Sequence, residues 1–472
     1  MSSPFYLAGQ RITSIESLDV HFPFNDEVVG SVSLAQPEHI EAAIVAAHEA
    51  LPQTSALEPY QKVAVLDYIV QQLTAQQEAF AQLLTQENGK TINEARGEMT
   101  RCISTFANAR GEAERMYGEY LPAGITPLAA GRHLITKRFP IGVVSGITPF
   151  NFPMNLMAHK VAPAIAAGCP IIIKPASATP LSTLKFAQIV ADSGRPLWAF
   201  SVLPCKREVG QQLVTDERIA LLSFTWSPQI GWKMKQDAGK KKTVLELGGN
   251  AGAIIDADVQ DWDYVVKRCI VGAFYQAGQS CISVQRILVH ESVKDIFVEK
   301  FVEATKQIVV GDPRDEATTI GGLIDQKNCE RLVGRIAEAV NQWATVLTGN
   351  QATGTLLQPT VLSNVWHDAN IRIQEAFGPV VLIDTRKTIE DATAQINDST
   401  FGLQVGIFSN NLQHVRYLFD HAHVGGVIHG DVPSRRVDHM PYGWVKDSGQ
   451  GREGVKYAME DMTEVKLLVV NP

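Results

Sequence analysis

Two side chains in the sequence have the type and setting for covalent chemistry at a carbonyl. Cys281 lies in AGQSCISVQR, after Ala277 and Gly278 and before a β-prone run. Small neighbours there let a substrate reach the sulfur and let backbone amides face developing negative charge. Read alone, the same cysteine is more often a buried structural residue. Glu246 closes the short apolar run in LELGG, and the two glycines after it let backbone approach closely. A carboxylate in that place can act as a general base, although a single glutamate at a strand end is otherwise only solvated. The six cysteines show neither pairing rhythm nor CxxC spacing. That argues against a disulfide framework and a structural zinc site, predicts no metal, and fits a reducing cytoplasm.

The elements that must position these residues follow from periodicity. Between about 35 and 117 the apolar residues recur every three or four positions, as in Ile40, Ala43, Ile44 and Ala47, then Val63, Leu66, Ile69, Val70 and Leu73, which predicts amphipathic helices. Residues 118 to 141 are punctuated by Pro122, Gly124, Pro127 and Gly131, and read as a hairpin or arm containing the strand HLITKRF. From about 141 to 250, IGVVSGI, PIIIKP, AFSVLP, IALLSFT and TVLEL alternate with helical stretches. This is the pattern of an open parallel α/β sheet, whose ligands sit beyond the carboxyl ends of the strands. A second α/β pattern begins at AGAIIDA and includes a helix VKDIFVEKFVEATKQIV with Val293, Phe297, Phe301 and Ile308 on one stripe. The tail TEVKLLVVNP is suited to adding a strand to another sheet.

Composition narrows the function. A chain of 472 residues, 45% hydrophobic and 19% charged, can bury a large core and should hold two or three structural units. Its net charge of -8, with acidic and basic residues interspersed, offers no basic stripe for nucleic acid and no polybasic patch for a membrane surface. The amino terminus lacks a charged start followed by an apolar core, and no run approaches the ~18 apolar residues of a membrane span. A small-molecule partner is expected.

The segments ITPFNFP, KPASATP, LSFTxS, LELGGN, GQSC, EAFGPV and MPYGxVKDSGQGREG, in this order, resemble the aldehyde dehydrogenase superfamily from about residue 10 to the end. The likeness runs toward non-acylating members that oxidise small aldehydes such as lactaldehyde or glycolaldehyde. The resemblance implies a Rossmann-like cofactor-binding domain over 1–117 and 141–247, an α/β catalytic domain over 248–443, and an oligomerisation arm and tail over 118–140 and 456–472. A homodimer or homotetramer is expected. It implies that Cys281 forms a thiohemiacetal and then a thioester, that Asn151 and the Cys281 backbone N–H hold the oxyanion, and that Glu246 activates the hydrolytic water. It further implies NAD or NADP, with Lys174 at the adenosine ribose, Ser227 at the pyrophosphate, and Glu375 and Phe377 at the nicotinamide end. Ser177 stands where many members carry a glutamate that repels a 2′-phosphate, which makes NADP plausible beside NAD. Taken singly, Asn151 reads as a turn residue, Lys174 as a solvated lysine and Glu375 as a surface acid.

Departures from the pattern carry expectations of their own. Trp226 in FTWS and Trp444 in PYGWVKD stand where the family keeps glycine, and Trp198 and Trp366 are exchanges of the same kind. Gly322 replaces an expected proline, and His429, Gly430 and Arg435 depart from apolar, asparagine and aromatic residues. Such exchanges mark an engineered or unusually diverged member. The indole of Trp226 is expected either to fill the adenosine cleft, favouring a truncated cofactor, or to swing out to solvent. His429 and Arg435 are expected to line the aldehyde entrance, where Arg435 could recruit an anionic group. Ser280, small and neutral, offers a phosphate no cation and points to a short, polar, non-phosphorylated aldehyde. Two alternatives stand beside the main reading: an acylating enzyme that passes its thioester to coenzyme A, and an inactive binding or assembly scaffold whose cofactor cleft tryptophan blocks.

Overall fold

The computed structural model describes residues 2–193 and 199–471. Two parallel-sheet layers carry the architecture. In the first, the strands lie in the order Gln10–Ile12, Phe5–Leu7, Phe200–Val202, Ile171–Lys174, Val143–Ile147, Ile219–Thr225, Lys242–Glu246 and Gly449–Gln450. The five strands from Phe200–Val202 to Lys242–Glu246 run parallel. The chain builds outward from Val143–Ile147 first on one side and then on the other. The order therefore reverses between Val143–Ile147 and Ile219–Thr225, which places a ligand crevice beyond their carboxyl ends.

The amphipathic helices expected before residue 117 are Pro37–Ser55, Pro59–Ala75, Gln77–Asn88 and Ile92–Arg115. They bury Ile40, Ala43, Ile44 and Ala47, then Leu66, Ile69 and Leu73, in one core with the first sheet, while Val63 and Val70 pack at its margin. The helix Pro153–Ala167 is buried along nearly its whole length, so its alanines set a close approach to the helix Ile92–Arg115.

The second sheet orders Thr345–Thr348, Thr360–Ser363, Val380–Arg386, Val284–His290, Ala251–Ile255, Gln404–Phe408 and Gly426–His429, all parallel except the edge strand Thr345–Thr348. The expected helix over VKDIFVEKFVEATKQIV is shorter than its apolar stripe. It spans Lys294–Lys306, Val293 belongs to a preceding 3₁₀ turn, and Ile308 lies beyond the helix end. Both still pack against the core that buries Phe297 and Phe301. The stripe thus reports burial rather than helix bounds.

The arm is a three-stranded antiparallel sheet in which Tyr120–Pro122 pairs with His133–Pro140, and His133–Pro140 with the tail strand Thr463–Val470. The segment LGGN, residues 247 to 250, joins the carboxyl end of one sheet to the amino end of the other. The candidate site lies there.

Candidate active site

Glu246 is the last residue of its strand, and the glycines after it have separate geometric duties. A Cβ on Gly249 would lie 1.9 Å from the Cys281 carbonyl oxygen, and one on Gly248 would lie 2.8 Å from Glu375 Oε2. The Gly249 N–H donates to Glu375 Oε1 at 2.8 Å. Only a chain without side chains here brings the Glu246 strand, the Cys281 loop and Glu375 together.

Cys281 follows a strained turn. Gln276 and Ala277 hold φ of 57° and 51°, the left-handed region, at a cost on the order of 1–2 kcal/mol each. Hydrogen bonds from the helical layer offset it. The Gln276 N–H donates to Glu94 Oε1 at 2.5 Å, its amide donates to Asn88 Oδ1 at 2.7 Å, and Asn88 Nδ2 donates to the Phe150 carbonyl at 2.6 Å. Asn151, next in the chain, donates one amide hydrogen to the Gln279 carbonyl at 2.9 Å, and a primary amide has a second hydrogen to donate. Its own carbonyl accepts from Lys90 Nζ at 2.8 Å, and Lys90 is fixed by a buried ion pair with Glu98. Cys281 is partly exposed, whereas the other five cysteines are free and buried.

Behind these residues lies a charged cluster that the sequence reading did not single out. Lys160 Nζ stands 3.6 Å from Glu246 Oε1 and donates to Ser223 and Thr225 hydroxyls at 2.9 and 2.7 Å. Arg436 pairs with Glu453, approaches His159 Nε2 at 3.1 Å, and lies 3.9 Å above the centre of the Tyr442 ring. The Tyr442 hydroxyl is 3.4 Å from Cys281 Sγ. Burial, then the Glu453 charge, raise the Glu246 carboxyl well above the usual range, against the pull of Lys160. Burial also works against Glu453, but the Arg436 guanidinium overrides it and holds that carboxylate low. A proton on this pair is therefore favoured on Glu246 rather than Glu453. Burial pushes the Cys281 thiol up to about 12, with the Tyr442 hydrogen bond acting in the opposite direction. The available signals were a lysine within an otherwise apolar helix, for Lys160, and the tail segment itself, for Tyr442 and Glu453.

Of the residues expected at a dinucleotide, Lys174, Ser177 and Ser227 lie at the first sheet's carboxyl edge, and Glu375 and Phe377 come from the loop before Val380–Arg386 of the second sheet. Lys174 ends its strand, with Nζ donating to the Pro175 carbonyl at 3.5 Å, and a Cβ on Gly210 would lie 2.9 Å from its Cδ. Ser177 is exposed on the following loop. Ser227 caps the helix Pro228–Asp237 without bonding it through its side chain, so the helix's positive end stays open to an anion. Phe377 has φ of 51°, and burial pushes Glu375 up to about 7. An ammonium, an open helix terminus and a carboxylate beside an aromatic ring fit the donor and acceptor needs of a nicotinamide dinucleotide.

Several placements correct the expectations. The Trp226 indole does not swing out to solvent: it is partly buried and edge-on to Phe150 at 5.1 Å, and Phe150 meets Phe377 edge-on at 5.9 Å. It packs, partly buried, against the core that holds Phe224 and Leu247, which makes this contact better than open solvent. His429 does not line an entrance near Cys281. Gly426–His429 runs parallel to the strand that Cys281 precedes, so His429 falls at the opposite end of the sheet, where Nε2 contacts the Ser409 carbonyl at 2.9 Å. Arg435 is exposed, and its neighbour Arg436 is the guanidinium turned inward. Trp444 is buried beneath Tyr442, Trp366 is exposed, and Trp198 lies outside the described residues.

Comparison with known proteins accords with this geometry. The aldehyde dehydrogenase family profile matches residues 11–468. The chain is 39% identical over 469 residues to a 3-sulfolactaldehyde dehydrogenase of Priestia megaterium, covering 99% of this chain and 97% of that one. It superimposes with a TM-score of 0.98 and 46% identity on aldehyde dehydrogenase 21 from Physcomitrella patens, solved with the reaction product succinate, covering 100% of this chain and 98% of that one. With glyceraldehyde-3-phosphate dehydrogenase GapN from Methanocaldococcus jannaschii, complexed with NADP, the TM-score is 0.92 and the identity 36%, covering 96% and 99%. The chain belongs to the aldehyde dehydrogenase family. It is an oxidoreductase that acts on aldehydes with NAD or NADP.

Proposed function

We propose that this enzyme oxidises a short, polar aldehyde to its carboxylic acid through a covalent intermediate on Cys281. The observation that carries this reading is the convergence of Cys281, Asn151 and Glu246 at one junction of the two sheets, through Gly249 and Gln279. The Asn151 amide and the Cys281 backbone N–H would hold the oxyanion as the sulfur adds to the carbonyl, a contribution of several kcal/mol in such sites. The nicotinamide, when bound, accepts the hydride. Glu246, at the strand end beside Lys160, then takes a proton from the water that hydrolyses the thioester. That carboxylate favours water over coenzyme A as the acyl acceptor.

The cofactor would lie along Lys174, Ser177, Ser227, Glu375 and Phe377, passing Trp226. The likeness to a sulfolactaldehyde enzyme and to a succinate-bound structure supports a substrate with an acidic group distant from the aldehyde. Arg101, part-exposed and bonded to Asp438 at 2.8 Å, is a cation within the same network for such a group. The domain division at 1–117 with 141–247, 248–443, and 118–140 with 456–472 belongs to this proposal, as do a cytoplasmic setting and assembly through the arm.

The decisive experiment is Cys281→Ala assayed against a panel of small aldehydes with NAD and NADP, following reduced nicotinamide by absorbance. Turnover should fall by orders of magnitude while the circular dichroism spectrum is unchanged. A variant that turns over near the parent rate overturns the mechanism.

A further inference from the structure

The Cys281 sulfur has a partner that the reaction scheme does not use. The Tyr442 hydroxyl lies 3.4 Å from Sγ, within sulfur hydrogen-bonding distance, and the ring that carries it is fully enclosed. On one side the Arg436 guanidinium lies 3.9 Å from the ring centre, itself locked by Glu453 and His159. On the other the Trp444 indole packs edge-on at 5.6 Å, and the short strand carrying Tyr442 pairs with the one carrying Glu453. A phenol held so firmly is aimed at the sulfur rather than resting there. The cation over its ring draws on π density and makes the O–H a better donor.

We propose that Tyr442 is a further catalytic residue, whose phenol donates a hydrogen bond to the Cys281 thiolate both before the sulfur attacks the aldehyde and when it departs from the acyl carbon. In the first step the thiol proton goes to water, the sulfur's electron pair forms the C–S bond, and the carbonyl π pair moves onto oxygen. In the last, water adds to the thioester, its proton goes to Glu246, and the C–S pair returns to sulfur. Negative charge sits on Sγ at both ends, and one fixed donor serves both. In between, sulfur is bonded to carbon and the hydrogen bond weakens, so the contact favours the charged forms selectively.

Without such a donor the thiolate would face mainly opposing influences. The Glu375 charge, and that of Glu246 whenever it is ionised, disfavours the thiolate, and Arg436 is the cation that favours it, from the far side of the tyrosine ring. The proposal rests on Cys281 as the nucleophile, and its test is separate from that reading because it does not require turnover.

The test is the pH profile of Cys281 alkylation by iodoacetamide in Tyr442→Phe, which keeps the ring and removes the hydroxyl. Alkylation near neutral pH should slow by roughly ten- to a hundredfold and its midpoint should move to higher pH, as expected for a lost hydrogen bond to a charged group. Removing only packing would leave the midpoint in place. An unshifted midpoint in a folded Tyr442→Phe overturns the proposal while leaving Cys281 as the nucleophile. Should that variant fold poorly, ring-fluorinated tyrosine at position 442 gives the complementary arm. A more acidic phenol of nearly the same shape should quicken alkylation, and an unchanged or slower rate argues that the hydroxyl only fills space.

Discussion

At the scale of single residues, the chemistry turns on which groups hold protons. The Glu246 carboxyl is raised by burial and by the Glu453 charge, so at any given pH it holds its proton more than an exposed glutamate does. A general base must be ionised, and its ionised fraction grows as pH rises toward its elevated pKa. Thioester hydrolysis should therefore reach its plateau at a higher pH than an unperturbed glutamate would give, the direction set by burial and the Glu453 charge. Glu246→Gln should release one burst of reduced nicotinamide and then stall; stopped-flow absorbance showing an undiminished steady rate would assign the water activation to another group. The indole of Trp226 makes a different claim. Phe150 and Trp226 follow Val143–Ile147 and Ile219–Thr225, so their edge-on contact links the chain beyond the carboxyl ends of these two strands, and such a pair is worth about 0.5–1.5 kcal/mol. Opening it should weaken dinucleotide binding up to roughly tenfold. Trp226→Gly should recover that factor for NAD and NADP in fluorescence titrations and change mononucleotide binding less; equal gains for both ligands would show that the indole does not bar the crevice. Cys281, Glu246 and Asn151 were legible because each sits in a short segment whose order along the chain is distinctive. Arg436 and His159 were not, because a buried cation and a buried histidine look on paper like the solvated residues beside them, and burial is settled only by the packed fold.

At the scale of elements, local signals were read well where one face of a helix or strand is buried and poorly where the chain departs from an ideal end. The apolar stripe of Lys294–Lys306 extends past both ends of the helix because a flanking turn and loop also bury their apolar residues. The helix Gln326–Asn341 ends in a way periodicity does not reveal. The Ala344 N–H donates to the Ala339 carbonyl and the Trp343 N–H to that of Val340, the paired bonds of a left-handed helix terminus. Trp343 takes φ of 73° there while its side chain is 90% exposed. A bulky residue in that conformation costs about 1–2 kcal/mol, and so exposed an indole recovers little through packing. Trp343→Gly should thus stabilise the protein by about 1 kcal/mol, raising the urea midpoint of unfolding at unchanged slope. A lower midpoint would show that the indole makes a contact worth more than the strain.

At the scale of the whole molecule, the two-sheet organisation followed from the alternation of apolar runs and helical stretches, and the arm from its punctuation by proline and glycine. The pairing of the tail with the arm was legible only in kind: TEVKLLVV read as a strand seeking a sheet, but register with His133–Pro140 depends on residues more than 300 positions away. This sheet is poorly covered by the rest of the chain. Val465, Leu467, Leu468, Val469 and Val470 are each between 40% and 57% exposed, and Ile125 and Leu128, in the connection between the other two arm strands, are 83% exposed. A β-strand alternates its side chains, so consecutive exposed apolar residues mean that neither face of the tail strand is buried within one chain. Apolar area of this kind, bordering an unpaired strand edge, is what a second copy would cover. Two charged substitutions on successive residues, Leu467→Asp with Leu468→Asp, place a carboxylate on each face and should disrupt assembly while leaving the two main sheets intact. Sedimentation velocity at equal protein concentration should then show a smaller species than the parent, with the far-ultraviolet spectrum preserved. A parent that sediments as a monomer, or a double variant that keeps the parent's size, would mean that these residues do not hold copies of the chain together, and the exposed sheet would need a different partner.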